Sequence, residues 1–245
     1  MARYLTEHPT HVRFLDFART NVGFEVEFFT MKPDAVDPAV GSAAMKAKFA
    51  IHDAIGRVSR LAGDESKTLA MRHEGGRIVM DNLSKEVSKH VQTIRDWSER
   101  EAEAAGARAL AVLNPDPTKA QVYSEIRAYC ASRRSDPEFP AELAELCRTD
   151  LDTARAVANA PGYLSGVNST ERHMRLKDEA VVAFAPDDVA HMRHAVAVGK
   201  EADRMQEGMK KLHATAYTKA VADRIRSTHV DTAAPFAEPP AAAAE

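Results

Sequence analysis

Two histidines and an aspartate in "DDVAHMRH" are the residues of this chain best placed, by type and spacing, to do chemistry. On a helix, Asp187 precedes His191 by four residues and His194 follows it by three, so all three side chains share one face. Two imidazoles and a carboxylate form an adequate set for zinc or iron, and a metal-dependent enzyme built on Asp187, His191 and His194 is one expectation to test. The same spacing also describes a solvated polar flank beside the apolar stripe of Val189, Met192 and Val196. Asp187 and Asp188 then need do no more than favour a helix N-terminus. The sequence favours this second reading, so no catalytic residue, metal site or cofactor is expected.

Other reactive patterns are weaker. No Glu-x-x-His occurs, which removes the usual di-iron bundle signature, and His73-Glu74 runs into Gly75-Gly76 instead of a zinc-protease helix. Phosphate loops and a Gly-x-Ser-x-Gly elbow are absent. Cys130 and Cys147 lie in separate helical runs beside Tyr129 and Leu146, which predicts two reduced, buried thiols in place of a nucleophile or a disulfide. The basic pairs Arg133-Arg134 and Lys210-Lys211 read as exposed helix faces.

The composition sets the frame for these residues. Of 245 residues 44% are hydrophobic and 6% aromatic, enough for a core and typical of Ala-rich helices. The net charge of −3 comes from Asp231, Glu238 and Glu245, because residues 1–230 balance 33 acidic against 33 basic side chains. A neutral body argues against a dedicated nucleic-acid binder, whose affinity rests on neutralising phosphates. No window approaches a membrane-spanning run of apolar residues, and "MARYLTEHPTHVRFLDF" lacks the apolar core of a signal peptide. A cytoplasmic location is the expectation.

Along the chain, Val12, Leu15 and Ala18 keep helical spacing, which predicts a helix over 10–20. "GFEVEFF" alternates Phe24, Val26 and Phe28 with Glu25 and Glu27, consistent with a short extended segment or a helix near 22–30. The Phe-rich segment 1–31 is followed by a linker (32–41), a helical body (42–230) and an Ala/Pro-rich acidic tail (231–245). The body opens on a helix from Ser42 to about Ala62, with Met45, Phe49, Ile51, Ile55 and Val58 as its apolar positions. Asp64 restarts a helix that Gly75-Gly76 weakens, and from Arg77 to about Leu113 one uninterrupted pattern follows on the stripe Met80, Leu83, Val87, Val91, Ile94 and Trp97. Shorter helices are expected over 117–133, where Val122, Ile126 and Tyr129 share a side, and over 140–159 and 170–184. A last run, 186–228, carries the stripe Val189, Met192, Val196, Ala202, Met205, Met209 and Leu212. The predicted class is all-α: an elongated helical bundle built on two long helices.

Between two of these helices stands "ANAPGYLSGVNSTERH", residues 158–173. Pro161 stops a helix, Gly162 and Gly166 permit turns, and Ser169 or Thr170 caps the next helix. Tyr163, Leu164 and Val167 are expected to plug the corner into the core. The reading is a rigid elbow. Its first ten residues, "ANAPGYLSGV", resemble a helix–loop–helix segment of helical bacteriophage virion-associated proteins of unknown role. That resemblance implies a non-enzymatic virion component, internal, head- or neck-associated, or ejected, and it carries over no functional residue.

Thin, alanine-rich stripes seldom hold a long helix alone. The expectation is therefore a structural or assembly protein that oligomerises with itself, and with other structural proteins, through helix–helix contacts. Met192, Val196, Met205, Met209 and Leu212, with Phe14, Phe17, Phe24 and Phe28, are the candidate contact residues. Beside the metal enzyme, a third class is a helical protein associated with membrane or nucleic acid.

Overall fold

The computed structural model describes residues 3–7, 12–16, 31 and 36–228. Its body is an all-α helical bundle. Two short strands precede it, β1 (Arg3–Glu7) and β2 (Val12–Asp16), paired antiparallel with Leu5 opposite Phe14, and β1 runs alongside the first helix. The helix expected over 10–20 is thus replaced by β2. Its apolar residues satisfy helical spacing and strand pairing equally, and a partner strand upstream decides between them. The segment 22–30, Phe17, Phe24, Phe28, the side chain of Phe14 and the tail 231–245 lie outside the described residues.

Eight helices follow among the described residues. They are α1 (Pro38–Gly63), α2 (Leu69–Ala111), α3 (Ala120–Ser132), α4 (Phe139–Thr149), α5 (Leu151–Ala158), α6 (Thr170–Phe184), α7 (Pro186–Ala216) and α8 (Lys219–Thr228). The chain forms two compact units, one of residues 1–91 and 203–245 and the other of residues 92–202. Both α2 and α7 contribute to each.

In the first unit α1 begins at Pro38, inside the expected linker, because Asp37 accepts the Ala39 N–H at 2.8 Å and Pro38 suits the first turn. Its buried face is Val40, Ala44, Ala47, Ile51, Ile55 and Val58, so alanines stand where Met45 and Phe49 were expected. The next helix, α2, starts at Leu69, five residues after the expected restart at Asp64, with Thr68 Oγ1 accepting the Met71 N–H at 3.3 Å. Gly75-Gly76 does not weaken it but brings neighbours close. A methyl at Gly75 would come within 3.1 Å of Leu61 Cδ1, and one at Gly76 within 3.4 Å of the Ala216 carbonyl and Tyr217 Cβ. Met80, Leu83, Val87 and Val91 are buried as their spacing predicts.

The run expected over 186–228 breaks at Tyr217-Thr218, leaving α7 and α8. At the break the Thr218 N–H leaves the helical ladder and donates to Nδ1 of the buried His73 at 3.0 Å, while the Thr218 carbonyl accepts the Val221 and Ala222 N–H groups of α8. One turn back His213 Nε2 meets Asp81 at 3.0 Å, and the His213 and Tyr217 rings stand edge to face. A long-range acceptor on another helix sets this boundary.

In the second unit Ile94 and Trp97 continue the buried stripe of α2. Ser98 Oγ donates to the Ala195 carbonyl at 2.7 Å, and Gly199 lets α7 close on α2, since a methyl there would fall 2.5 Å from Ser98 Oγ. The helix expected over 140–159 divides at Asp150, whose carboxylate accepts the N–H groups of Asp152 and Thr153 at 3.3 and 3.0 Å and caps α5. On α3 the buried positions are Tyr123 and Cys130, and Val122 and Tyr129 face outward, one residue out of phase with the expected side.

Cys130 and Cys147 share a small core with Phe139, Leu143, Val157, Val167 and Leu176, and both are free thiols. Burial pushes the Cys147 thiol up to about 12 and raises Cys130 as well. At pH 8 a thiol of that pKa is ionised about one part in ten thousand. We expect neither cysteine of the native chain to react with a disulfide reagent at pH 8 within minutes, and both to react at once in denaturant. Rapid labelling of the native chain would place a thiol at the surface.

Candidate interaction site

The metal candidates separate. His191 Nε2 faces Glu101 on α2 at 3.3 Å, and it is Asp188, not Asp187, that makes a cross-helix pair, with Arg108 at 2.8 Å. No three His, Cys, Asp or Glu side chains among the described residues are placed to hold one ion. The polar flank of α7 therefore joins α7 to α2. Of the expected contact residues on this helix, Met205, Met209 and Leu212 are buried in the first unit. Met192 is half-buried with its sulfur beside Gly106, while Val196 is exposed. The buried positions next to it are Ala195 and Val198. Arg133, half of one basic pair, bonds Asp136, Glu142 and the Tyr129 hydroxyl and lies 4.9 Å over the Phe139 ring, so it is occupied within the fold.

The elbow between α5 and α6 is tied to its neighbours by hydrogen bonds. Asn159 Nδ2 donates to the carbonyls of Leu113 and Arg155, and Arg155 Nε donates to the Val112 carbonyl at 3.1 Å, which fixes the end of α5 to the end of α2. Residues Gly162–Ser165 form a single 3-10 turn closed by Gly166 in the left-handed region at φ 72°, a conformation that favours glycine. The Val167 N–H donates back to the Gly162 carbonyl at 2.8 Å. Ser169 caps α6 by accepting the Arg172 N–H at 3.3 Å, and His173 Nε2 donates to the Val157 carbonyl at 2.8 Å across the corner.

His173 uses its Nε2 proton structurally. Ser165 Oγ is fully buried and has no hydrogen-bond partner among the described residues. Val167 is the residue that plugs the corner. Tyr163 and Leu164, expected beside it, point outward with 68% and 44% of their surface exposed. The 3-10 turn reverses direction within four residues, so adjacent apolar side chains cannot all face one core. Beside Tyr163 lies a recess of about 360 Å³ lined by Pro161, Gly162, Val167, Asn168, Ser169 and His173.

No family model, curated protein or solved structure matches the chain. The site is therefore read from its own geometry. That geometry is a stiff corner carrying an exposed aromatic and an exposed aliphatic side chain next to a shallow recess. Sequence reasoning found the corner and its glycines. It missed which apolar residues leave it, because within so short a turn no periodicity distinguishes inside from outside. No helix among the described residues is long and apolar enough to cross a membrane.

Proposed function

We propose that this chain is a non-enzymatic structural or assembly protein that works through contacts with itself and with other structural proteins, as a component of a phage virion. One observation carries the reading: Tyr163 and Leu164 are exposed on a corner held by a set of backbone and side-chain hydrogen bonds and a left-handed glycine. Aromatic side chains held in place before binding lose little freedom on association and tend to dominate interface energies. A rigid elbow serves an assembly protein better than an enzyme, since it fixes the angle at which a partner is met. The phage context rests on the resemblance of residues 158–167.

Sedimentation velocity on the full chain from the low micromolar range upward tests the reading. The expected result is a mass that is a multiple of one chain, with Tyr163→Ser weakening association about 30-fold, as loss of an anchor worth ~2 kcal/mol requires. A single-chain mass throughout the range would overturn it.

A further inference from the structure

The recess beside Tyr163 also bears on what the elbow meets, an inference that rests on the self-assembly reading above. At Ser169 the recess adjoins a second hollow, of about 480 Å³, between α4 and α6, and Ser169 lines both. On the α4 side this hollow is walled by Pro140, Ala141 and Ala144. The two form a track past the first turn of α6, with an aromatic ring at one end and small side chains at the other.

Charge does not select what lies in this track. Arg148 is held by Glu145 and Glu179, and Arg175 by Glu179. Arg172 is the one cation of the lining without an ion pair among the described residues, and Glu171 beside it offsets that charge. Hydrogen-bond type does select. The Tyr163 hydroxyl, the Asn168 amide, the Thr170 hydroxyl and the Arg172 guanidinium line the track and make no side-chain hydrogen bond among the described residues. These groups offer more N–H and O–H protons than acceptors. An occupant rich in carbonyls and poor in donors fits them. Proline has a carbonyl and no N–H, and proline-rich segments are recognised beside aromatic rings through carbonyls that they do not use internally.

The chain carries such a segment. Residues 231–245, outside the described residues, read DTAAPFAEPPAAAAE. They hold Pro235, Pro239 and Pro240, the aromatic Phe236, and Thr232 as their one side-chain donor. At 3.1 Å per residue they span about 45 Å when extended, about twice the length of α6. We propose that this tail of one copy docks in the elbow track of a second copy. Pro239 and Pro240 cover the Tyr163 ring, Phe236 seats over Ala141 and Ala144, and the tail carbonyls accept from Asn168, Thr170 and Arg172.

Other occupants fit less well. A second elbow would set donors against donors. A nucleic acid would find one unpaired cation beside a carboxylate. A lipid surface takes up a continuous apolar face, which Asn168, Ser169 and Thr170 interrupt.

The test pairs two full-length variants in sedimentation velocity, Tyr163→Ser and a tail variant carrying Phe236→Ser, Pro239→Ala and Pro240→Ala. Each alone should weaken self-association about 30-fold. A contact between unlike surfaces survives when each partner lends its intact half. An equimolar mixture is therefore expected to form dimers at concentrations where neither variant does, and that rescue also shows both variants to be folded. In fluorescence anisotropy a labelled peptide of residues 231–245 should bind the tail variant, and about tenfold more weakly once its three prolines are replaced with alanine. Parent-like association of the tail variant, with Tyr163→Ser still weakened, would overturn this inference and leave the self-assembly reading standing, the elbow then meeting another surface. A mixture that associates no better than its members, or a peptide that binds the Tyr163→Ser chain equally well, would overturn it too. A single-chain mass of the parent at every concentration would remove the self-assembly reading, and this inference with it.

Discussion

Replacing Leu212 with alanine is expected to destabilise the chain by about 2–5 kcal/mol, by the same amount at every protein concentration. Leu212 is fully buried, and on the same helix Met205, Met209 and Ala216 are buried with it. Buried positions 195, 198, 202, 205, 209, 212 and 216 of α7 alternate in steps of three and four. That is a heptad seam, and its fixed period keeps one line of α7 turned inward over six turns. Removing three carbons from the middle of it leaves a cavity that small neighbours such as Ala216 cannot fill. At about 2–4 °C per kcal/mol for a chain of this size, the melting temperature should fall by roughly 4–20 °C. Val196→Ala, on the exposed side of the same helix, should change stability by less than about 0.5 kcal/mol. The pair separates core from interface. Were Leu212 a contact between copies, its loss would be small in dilute solution and would grow with concentration, and a cost below 1 kcal/mol that tracks concentration would refute the placement.

The seam also shows what the sequence could and could not reveal. Where large apolar residues mark the buried line, as from Met80 to Trp97 on α2, spacing alone finds the core. On α1 and α7 alanine does much of the burying. Ala44 and Ala47 on α1, and Ala195 and Ala202 on α7, are buried, while the larger Met45, Phe49 and Val196 face outward. Alanine carries so little apolar surface that a stripe weighted by side-chain size turns toward the wrong face. Breaks fixed by distant partners were equally hidden. The end of α7 depends on His73, which lies 145 residues away, and β2 depends on β1. His191 meets Glu101, 90 residues upstream, a partner that its local spacing to Asp187 and His194 could not indicate. Local chemistry was legible where it acts locally. Ser169 caps α6 and Gly166 takes the left-handed turn, as their residue types foretell.

Gly162→Ala is expected to damage the elbow more than any surface change, and its effect should reach assembly as well as stability. Gly162 is not in the left-handed region, so a side chain there meets no backbone strain of its own. The obstacle is contact. A methyl would lie 2.6 Å from the Val167 carbonyl oxygen and 3.3 Å from His173 Cβ and Cγ. The first neighbour is backbone, and its own amide donates to the Gly162 carbonyl at 2.8 Å, so it cannot retreat without breaking the bond that closes the turn. His173 is held by the Val157 carbonyl and has no easy exit either. Overpacking of this kind costs about 1–3 kcal/mol. Gly166→Ala, which adds left-handed strain at φ 72° and brings a methyl to 3.1 Å from the Cys130 carbonyl, should lose a comparable ~1–2 kcal/mol. If the elbow fixes Tyr163 for a partner, Gly162→Ala should weaken association as strongly as Tyr163→Ser does, although the tyrosine is intact. Tyr163→Ser alone should leave the melting temperature almost unchanged, because the side chain it removes is exposed. Thermal melts and sedimentation of the two variants side by side read both quantities. Parent-like melting of Gly162→Ala would mean that the corner has slack, and an elbow with slack does not hold Tyr163 at a fixed angle.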